Sequence, residues 1–226
     1  YIMTRNIFSR LPIAGVLAAV GLSSAMTTAV AAELDAEAIE RGKTSAVTCI
    51  ACHQADGSGM NIPGGEPWPR LSGLDRDYMV SQLKAFKDGS RNNASMLAFA
   101  TMLNDEQMVD VATYYASLPV TKADAPAVDE ALLKHGEKLA LKGDWDRYIV
   151  ACTSCHGVGN QGHGATFPGL AGQHPGYIAQ QITAWKNETR KNDPQNLMAV
   201  IAKRMDDRDI EAVSAWLATQ PAKGQE

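Results

Sequence analysis

The chain has 226 residues, 45% of them hydrophobic and 20% charged, with 25 acidic against 21 basic side chains. This acidic balance excludes a nucleic-acid partner, because phosphate binding relies on clustered lysine and arginine. The length accommodates one or two domains, and beyond the first thirty or so residues no run is apolar enough over ~20 positions to cross a bilayer.

The first segment reads as an export signal. Tyr1 and Ile2 precede a start at Met3, Arg5 and Arg10 give a positive n-region, and residues 11–26 form an apolar stretch. Ala29-Val30-Ala31 and Val30-Ala31-Ala32 both fit a signal-peptidase site, so 1–32 is expected to be a cleaved signal peptide of bacterial type, an uncleaved anchor being the alternative. Its removal takes away two basic residues and no acid, leaving 19 basic and 25 acidic side chains. The remaining charge is uneven. Residues 33–125 carry 13 acidic and 8 basic groups and residues 126–226 carry 12 and 11, a dipole able to orient docking on a redox partner.

Next comes Cys49-Ile50-Ala51-Cys52-His53, and about a hundred residues later Cys152-Thr153-Ser154-Cys155-His156. The pentapeptide Cys-x-x-Cys-His reads as a c-type haem attachment site: two thiols form thioethers with the haem vinyl groups, and the adjoining histidine ligates iron. All four cysteines fall in these motifs. A structural zinc site leaves unexplained why each histidine directly follows its second cysteine. A thioredoxin-like pair needs a βαβ context, which is missing here, and two disulfides are the remaining alternative. The expected cofactors are two covalent haem c groups. Covalent attachment suits export, since c-type maturation in bacteria occurs outside the cytoplasm.

After each motif the chain repeats itself. Pro69-Arg70-Leu71-Ser72-Gly73 is echoed by Pro168-Gly169-Leu170-Ala171-Gly172. A helical stretch follows each loop, with apolar positions Met79, Leu83 and Phe86 in one and Ile178, Ile182 and Trp185 in the other. Arg91 and Arg190 fall at equal distances from the two loops. Each half closes with a helix whose N-cap and N3 residues are Asn104 with Gln107 and Asp206 with Asp209. Met108, Ala112 and Tyr115, and Ile210, Val213 and Trp216-Leu217, are the inward stripes, and Pro119 and Pro221 end these helices. No convincing strand is present. The expected fold is all-α, with domains at 33–122 and 123–226, each a few helices wrapped around a haem that supplies the core so small a unit lacks.

The sixth iron ligand must come from nine methionines. Met96 and Met198 each lie eight residues before their helix cap, whereas the rival pair Met102 and Met205 lies two and one residues before it. Met96 and Met198 are therefore favoured as ligands, and the rivals read as core. Pro69 and Pro168 are candidates to offer a backbone carbonyl to the proximal histidine, with a plain turn role as the alternative. Tyr78, Tyr177, Arg91 and Arg190 read either as haem-propionate partners or as packing. His135, His163 and His174 have no counterpart in the first half and read as polar loop or surface residues.

Taken together, Phe167-Pro168-Gly169-Leu170-Ala171-Gly172-Gln173-His174, then Tyr177 and Arg190-Lys191-Asn192-Asp193, with the looser Trp68-Pro69-Arg70-Leu71-Ser72-Gly73, resemble the cytochrome c4 family of diheme class I cytochromes c. The resemblance implies two class I cytochrome c domains related by a pseudo-twofold, with haem propionate edges facing one another. It also implies His/Met ligation at His53 and Met96 and at His156 and Met198, and loop prolines at Pro69 and Pro168. Segment 142–150 departs from it, being longer than its first-half counterpart. The function expected is one-electron carriage in the periplasm, without a substrate site. The donor would be a quinol-oxidising complex or a dehydrogenase and the acceptor a terminal oxidase, with peripheral association with membrane complexes. The alternatives are a haem subunit of a dehydrogenase, for example one oxidising a sulfur compound, and, less favoured, a diheme peroxidase.

Overall fold

The computed structural model describes residues 36–123 and 127–222, and the signal-peptide expectation lies outside them. Helix α1 (36–45) leads through a 3-10 turn, Ala46–Thr48, into the single helical turn Ile50–His53. A glycine- and proline-rich loop follows, then α2 (Arg76–Asp88), α3 (Ala94–Thr101) and α4 (Asp105–Ser117). The second half repeats the order with α5 (Glu130–Leu141), the turn Thr153–His156, α6 (Pro175–Lys186), α7 (Leu197–Ala202) and α8 (Asp207–Thr219). Among the described residues only isolated β-bridges occur, so the molecule is all-α.

Local chemistry sets the helix ends. Asn104 with Gln107, and Asp206 with Asp209, each form a capping box in which side chain and backbone amide exchange hydrogen bonds. Asp75 and Asn93 cap α2 and α3 by accepting from the amides of Tyr78 and Met96. Gly89 closes α2 with φ 80°, a left-handed conformation that a side chain would strain. The inward stripes are buried, with Met108 0%, Ala112 1%, Tyr115 1%, Val213 1% and Leu217 1% exposed.

In each half the first helix crosses the last one at a glycine. A Cβ on Gly42 would stand 2.0 Å from the Asp110 carbonyl oxygen, and one on Gly136 would stand 2.1 Å from that of Ala212. Only hydrogen fits at either crossing. Beside the first, Arg41 holds the buried Asp110 through two bonds of 2.8 and 2.9 Å.

From Gly42 to Cys49 is seven residues and from Gly136 to Cys152 sixteen, so the second half carries nine extra residues. They form an ordered loop in which Asp144 and Ile149 exchange backbone bonds of 2.7 and 2.9 Å, with Ile149 buried. Arg147 ties this loop to α8 by donating to both oxygens of Asp209, at 2.6 and 3.1 Å, and to Asp144 at 2.8 Å. His135 adds a 2.8 Å contact to Asp209. Burial alone would raise the Asp209 carboxyl, but Arg147, the Asp206 amide and His135 outweigh it and hold the pKa at about 2. The folded value lies below the unfolded one. The stabilisation, about 2 kcal/mol, is therefore complete above pH ~5 and lost as the pH falls toward 2. Urea unfolding at pH 7 and pH 3 should show the native chain losing about 1 kcal/mol more than Asp209→Asn, roughly half of the whole, because pH 3 still lies above the folded value.

The halves are clasped by buried polar bonds. Gln173 Oε1 accepts from the Arg70 amide at 2.8 Å and its Nε2 donates to the Arg70 carbonyl at 2.9 Å. The Arg70 guanidinium donates to the carbonyls of Ser72 and Ala171. His174, which the sequence reads as a loop or surface residue, is only 7% exposed. It occupies the N-cap position held by Asp75 in the first half, yet caps nothing with its side chain. Its Nε2 meets the Ser58 carbonyl across the interface at 2.8 Å. Arg91 and Arg190 pair with each other in an antiparallel bridge, as a twofold relation between repeats requires.

Candidate functional site

Each half encloses a cavity, and the attachment motif forms one wall. Cys49, Cys52, His53, Pro69 and Met96 line the first, about 310 Å³ in volume. Cys152, Cys155, His156, Pro168 and Met198 line the second, about 110 Å³. The rest of each lining is largely apolar: Leu71, Phe86 and Val111 in one, Leu170, Ile182 and Leu217 in the other.

The two histidines are prepared identically. His53 Nδ1 lies 2.9 Å from the Pro69 carbonyl and His156 Nδ1 lies 2.8 Å from that of Pro168. A carbonyl only accepts, so Nδ1 carries the hydrogen and the Nε2 lone pair is left free. Burial lowers both imidazole pKa values, outweighing the bond to the proline carbonyl, and so favours the neutral ring. Tyr115 packs edge-on against His53 at 6.5 Å, and Phe167 against His156 at 6.1 Å.

No disulfide joins the four cysteines, and no three His, Cys, Asp or Glu among the described residues converge as a metal cluster would. Burial pushes the Cys152 thiol up to about 11 and raises that of Cys49. Neither is the low-pKa thiolate that a thiol–disulfide exchange pair requires. A neutral imidazole with a free lone pair, two thiols one helical turn away and a large apolar hollow fit a haem c in each half.

The methionines sort unevenly. Met96 is the third residue of α3, its amide bonded to Asn93. Met198 is the second residue of α7, reached by a path three residues longer, counted from Arg190, than that from Arg91 to Met96. Of the rival pair, Met205 is buried and also lines the second cavity, as expected of a core residue. Met102 is 68% exposed and outside both cavities, because α3 ends there and nothing packs over it.

Sequence reasoning missed Gln82 and Gln181. Gln82 lines the first cavity and Gln181 lines both, and each accepts from Arg91 and from Arg190. Their signal was the repeat itself: each follows its tyrosine by four residues, at Tyr78 and Tyr177. Burial resists ionisation of the Tyr78 hydroxyl, but Arg190 and Arg91 outweigh it and hold the phenol below its usual range.

Two all-α units, each with a Cys-x-x-Cys-His wall beside a largely apolar hollow, define a diheme c-type electron carrier. The family model for cytochrome c matches residues 39–119 and again 134–221. The chain belongs to the cytochrome c4 family, and its two motifs carry two covalently bound haem c groups. The solved structure of reduced cytochrome c4 from Pseudomonas stutzeri superposes with a TM-score of 0.73 at 33% identity, covering 80% of this chain and 98% of that one. A thiosulfate dehydrogenase electron acceptor of Thiomonas intermedia is 47% identical over 176 residues, 78% of this chain and 80% of the relative. The structure of a thiosulfate dehydrogenase from Marichromatium purpuratum superposes with a TM-score of 0.75 at 37% identity, covering 81% of this chain and 40% of that longer one. The cytochrome c4 relatives are electron carriers.

Proposed function

We propose that this chain is a periplasmic electron acceptor for a thiosulfate-oxidising dehydrogenase and passes the electrons, one at a time, toward a terminal oxidase. The observation that carries the proposal is the wall the two cavities share, in which Tyr78, Tyr177, Gln181 and Arg190 line both. Such a wall suits a relay holding two electrons in adjoining sites. The 47% identity to a thiosulfate dehydrogenase electron acceptor supports the choice of donor. No helix among the described residues is long and apolar enough to cross a membrane.

Each bound haem supplies a one-electron Fe(III)/Fe(II) couple. The chain's own residues tune and insulate it. Cys49, Cys52, Cys152 and Cys155 tether by thioether. His53 and His156 ligate through Nε2, each ring fixed by the carbonyl of Pro69 or Pro168, which sharpens ligand geometry and raises imidazole basicity. Met96 and Met198, which line the same two cavities, would supply the second protein ligand to each iron, and a thioether there would favour the reduced state. The apolar lining would exclude water, and with a histidine and a methionine both bound the iron would have no open position for peroxide.

Stopped-flow mixing of the oxidised protein with a purified thiosulfate dehydrogenase and thiosulfate tests the donor. Full reduction at both haems is expected, and none when the dehydrogenase is omitted. Reduction only by a quinol-oxidising complex would reassign the donor.

A further inference from the structure

Two buried cations stand on the shared wall with no acid to neutralise them. Arg91 is 6% exposed and Arg190 5%. Arg91 donates to Gln82 at 3.0 Å, to the Tyr177 hydroxyl at 2.6 Å and to Gln181 at 2.7 Å. Arg190 donates to Asn192 at 2.9 Å, Gln181 at 2.8 Å and Gln82 at 2.9 Å, with the Tyr78 hydroxyl at 3.4 Å. Every one of these acceptors is neutral. The guanidiniums also stack on Phe86 at 4.5 Å and Trp185 at 4.0 Å. Aromatic faces and amide oxygens soften the removal of two like charges from water but do not cancel it. An anion from outside the polypeptide is called for.

Two further observations say where that anion lies. The indole Nε1 of Trp185, on the second cavity, is buried without a hydrogen-bond partner, a second donor awaiting an acceptor there. The two arginines also differ in reach, since Arg190 lines both cavities and Arg91 only the first. Haem c carries two propionate carboxylates, the right chemistry for both groups.

We propose that Arg190 is the shared counter-cation of the two haems, neutralising a propionate of each, and that Arg91 serves the first haem alone. Arg190 is then a positioning and tuning residue for both redox centres. A cation beside a haem favours Fe(II) over the more positive Fe(III), and a buried charge is screened little by salt. The inference rests on haem occupying both cavities.

The test is spectroelectrochemical titration of both haems in full-length holoprotein, with pyridine haemochrome confirming two haems per chain, so that failure of the haem reading is seen separately. Arg190→Gln should lower both midpoint potentials, each by about a tenfold change in the Fe(III)/Fe(II) equilibrium constant, or ~59 mV for one electron. Arg91→Gln should lower only one. Arg190→Lys keeps the charge and should leave both near the native values, which a purely structural role would not allow. Gln181→Glu adds a carboxylate between the guanidiniums and should lower both potentials while keeping both arginines in place, which covers the case of an Arg190→Gln protein that fails to mature. Movement of one potential or neither in Arg190→Gln or in Gln181→Glu, or an Arg190→Lys shift as large as that of Arg190→Gln, would overturn the proposal.

Discussion

Replacing Met198 by histidine is expected to lower the second haem's reduction potential by on the order of 0.2–0.3 V, part of the ~0.8 V over which axial ligands move haem potentials. A thioether is a soft, neutral ligand that favours Fe(II), whereas imidazole stabilises Fe(III). The weak Fe–S charge-transfer band at the red end of the oxidised spectrum should lose the second haem's share in the same variant. The second cavity makes this the more informative half to test, because it is lined by two methionines, Met198 and Met205. Met205 is 5% exposed and packed with Ile210 and Val213 in the core, so Met205→Leu should leave both the band and the potential in place. The opposite pattern, loss of the band in Met205→Leu alone, would transfer the ligand role to Met205.

The other large effect concerns folding. Gly136→Ala should destabilise the protein by about 3 kcal/mol. Two opposing terms decide the sign. Alanine improves helix propensity by about 1 kcal/mol, but its Cβ would stand 2.1 Å from the Ala212 carbonyl oxygen and 2.8 Å from the Trp216 Cβ. Helix backbone cannot yield as a flexible side chain does, so α5 and α8 must part, and the steric cost wins. For a chain of this size the fall in Tm is roughly 6–12 °C, measurable by circular dichroism against Lys134→Ala, an exposed position on the same helix where little change is expected. An unchanged or raised Tm would show the crossing to be looser than drawn. Gly42→Ala makes the same test in the first half.

What the sequence disclosed was what is local or repeated. The capping boxes at Asn104 and Asp206 were legible because cap and N3 lie within one turn of each other. The inward stripes were legible from the helical period. What stayed hidden is what the repeat does not share. Gln173 aligns with Leu74, and Arg70 with Gly169, so no comparison of the halves could show that Gln173 grips Arg70. His174 aligns with the capping Asp75, but the Gly176 amide in the first turn of its helix is taken by Asn61 of the other half, and the imidazole turns to Ser58 instead. The extra segment before the second motif was visible as length. Its anchor was not, since Arg147 and Asp209 are 62 residues apart. Nothing local marks Gly42 and Gly136 as crossing points, because close approach is a property of the partner helix. Met102 passed as core because periodicity does not report where a helix runs out of neighbours.

The Gln173–Arg70 grip turns two carriers into one vessel. It joins side chain to main chain inside the protein, where water and ions have little access, so the gap an electron crosses between the two irons is a fixed dimension of the polypeptide. Encounter with a partner remains a matter of diffusion and charge. The step from one iron to the next does not.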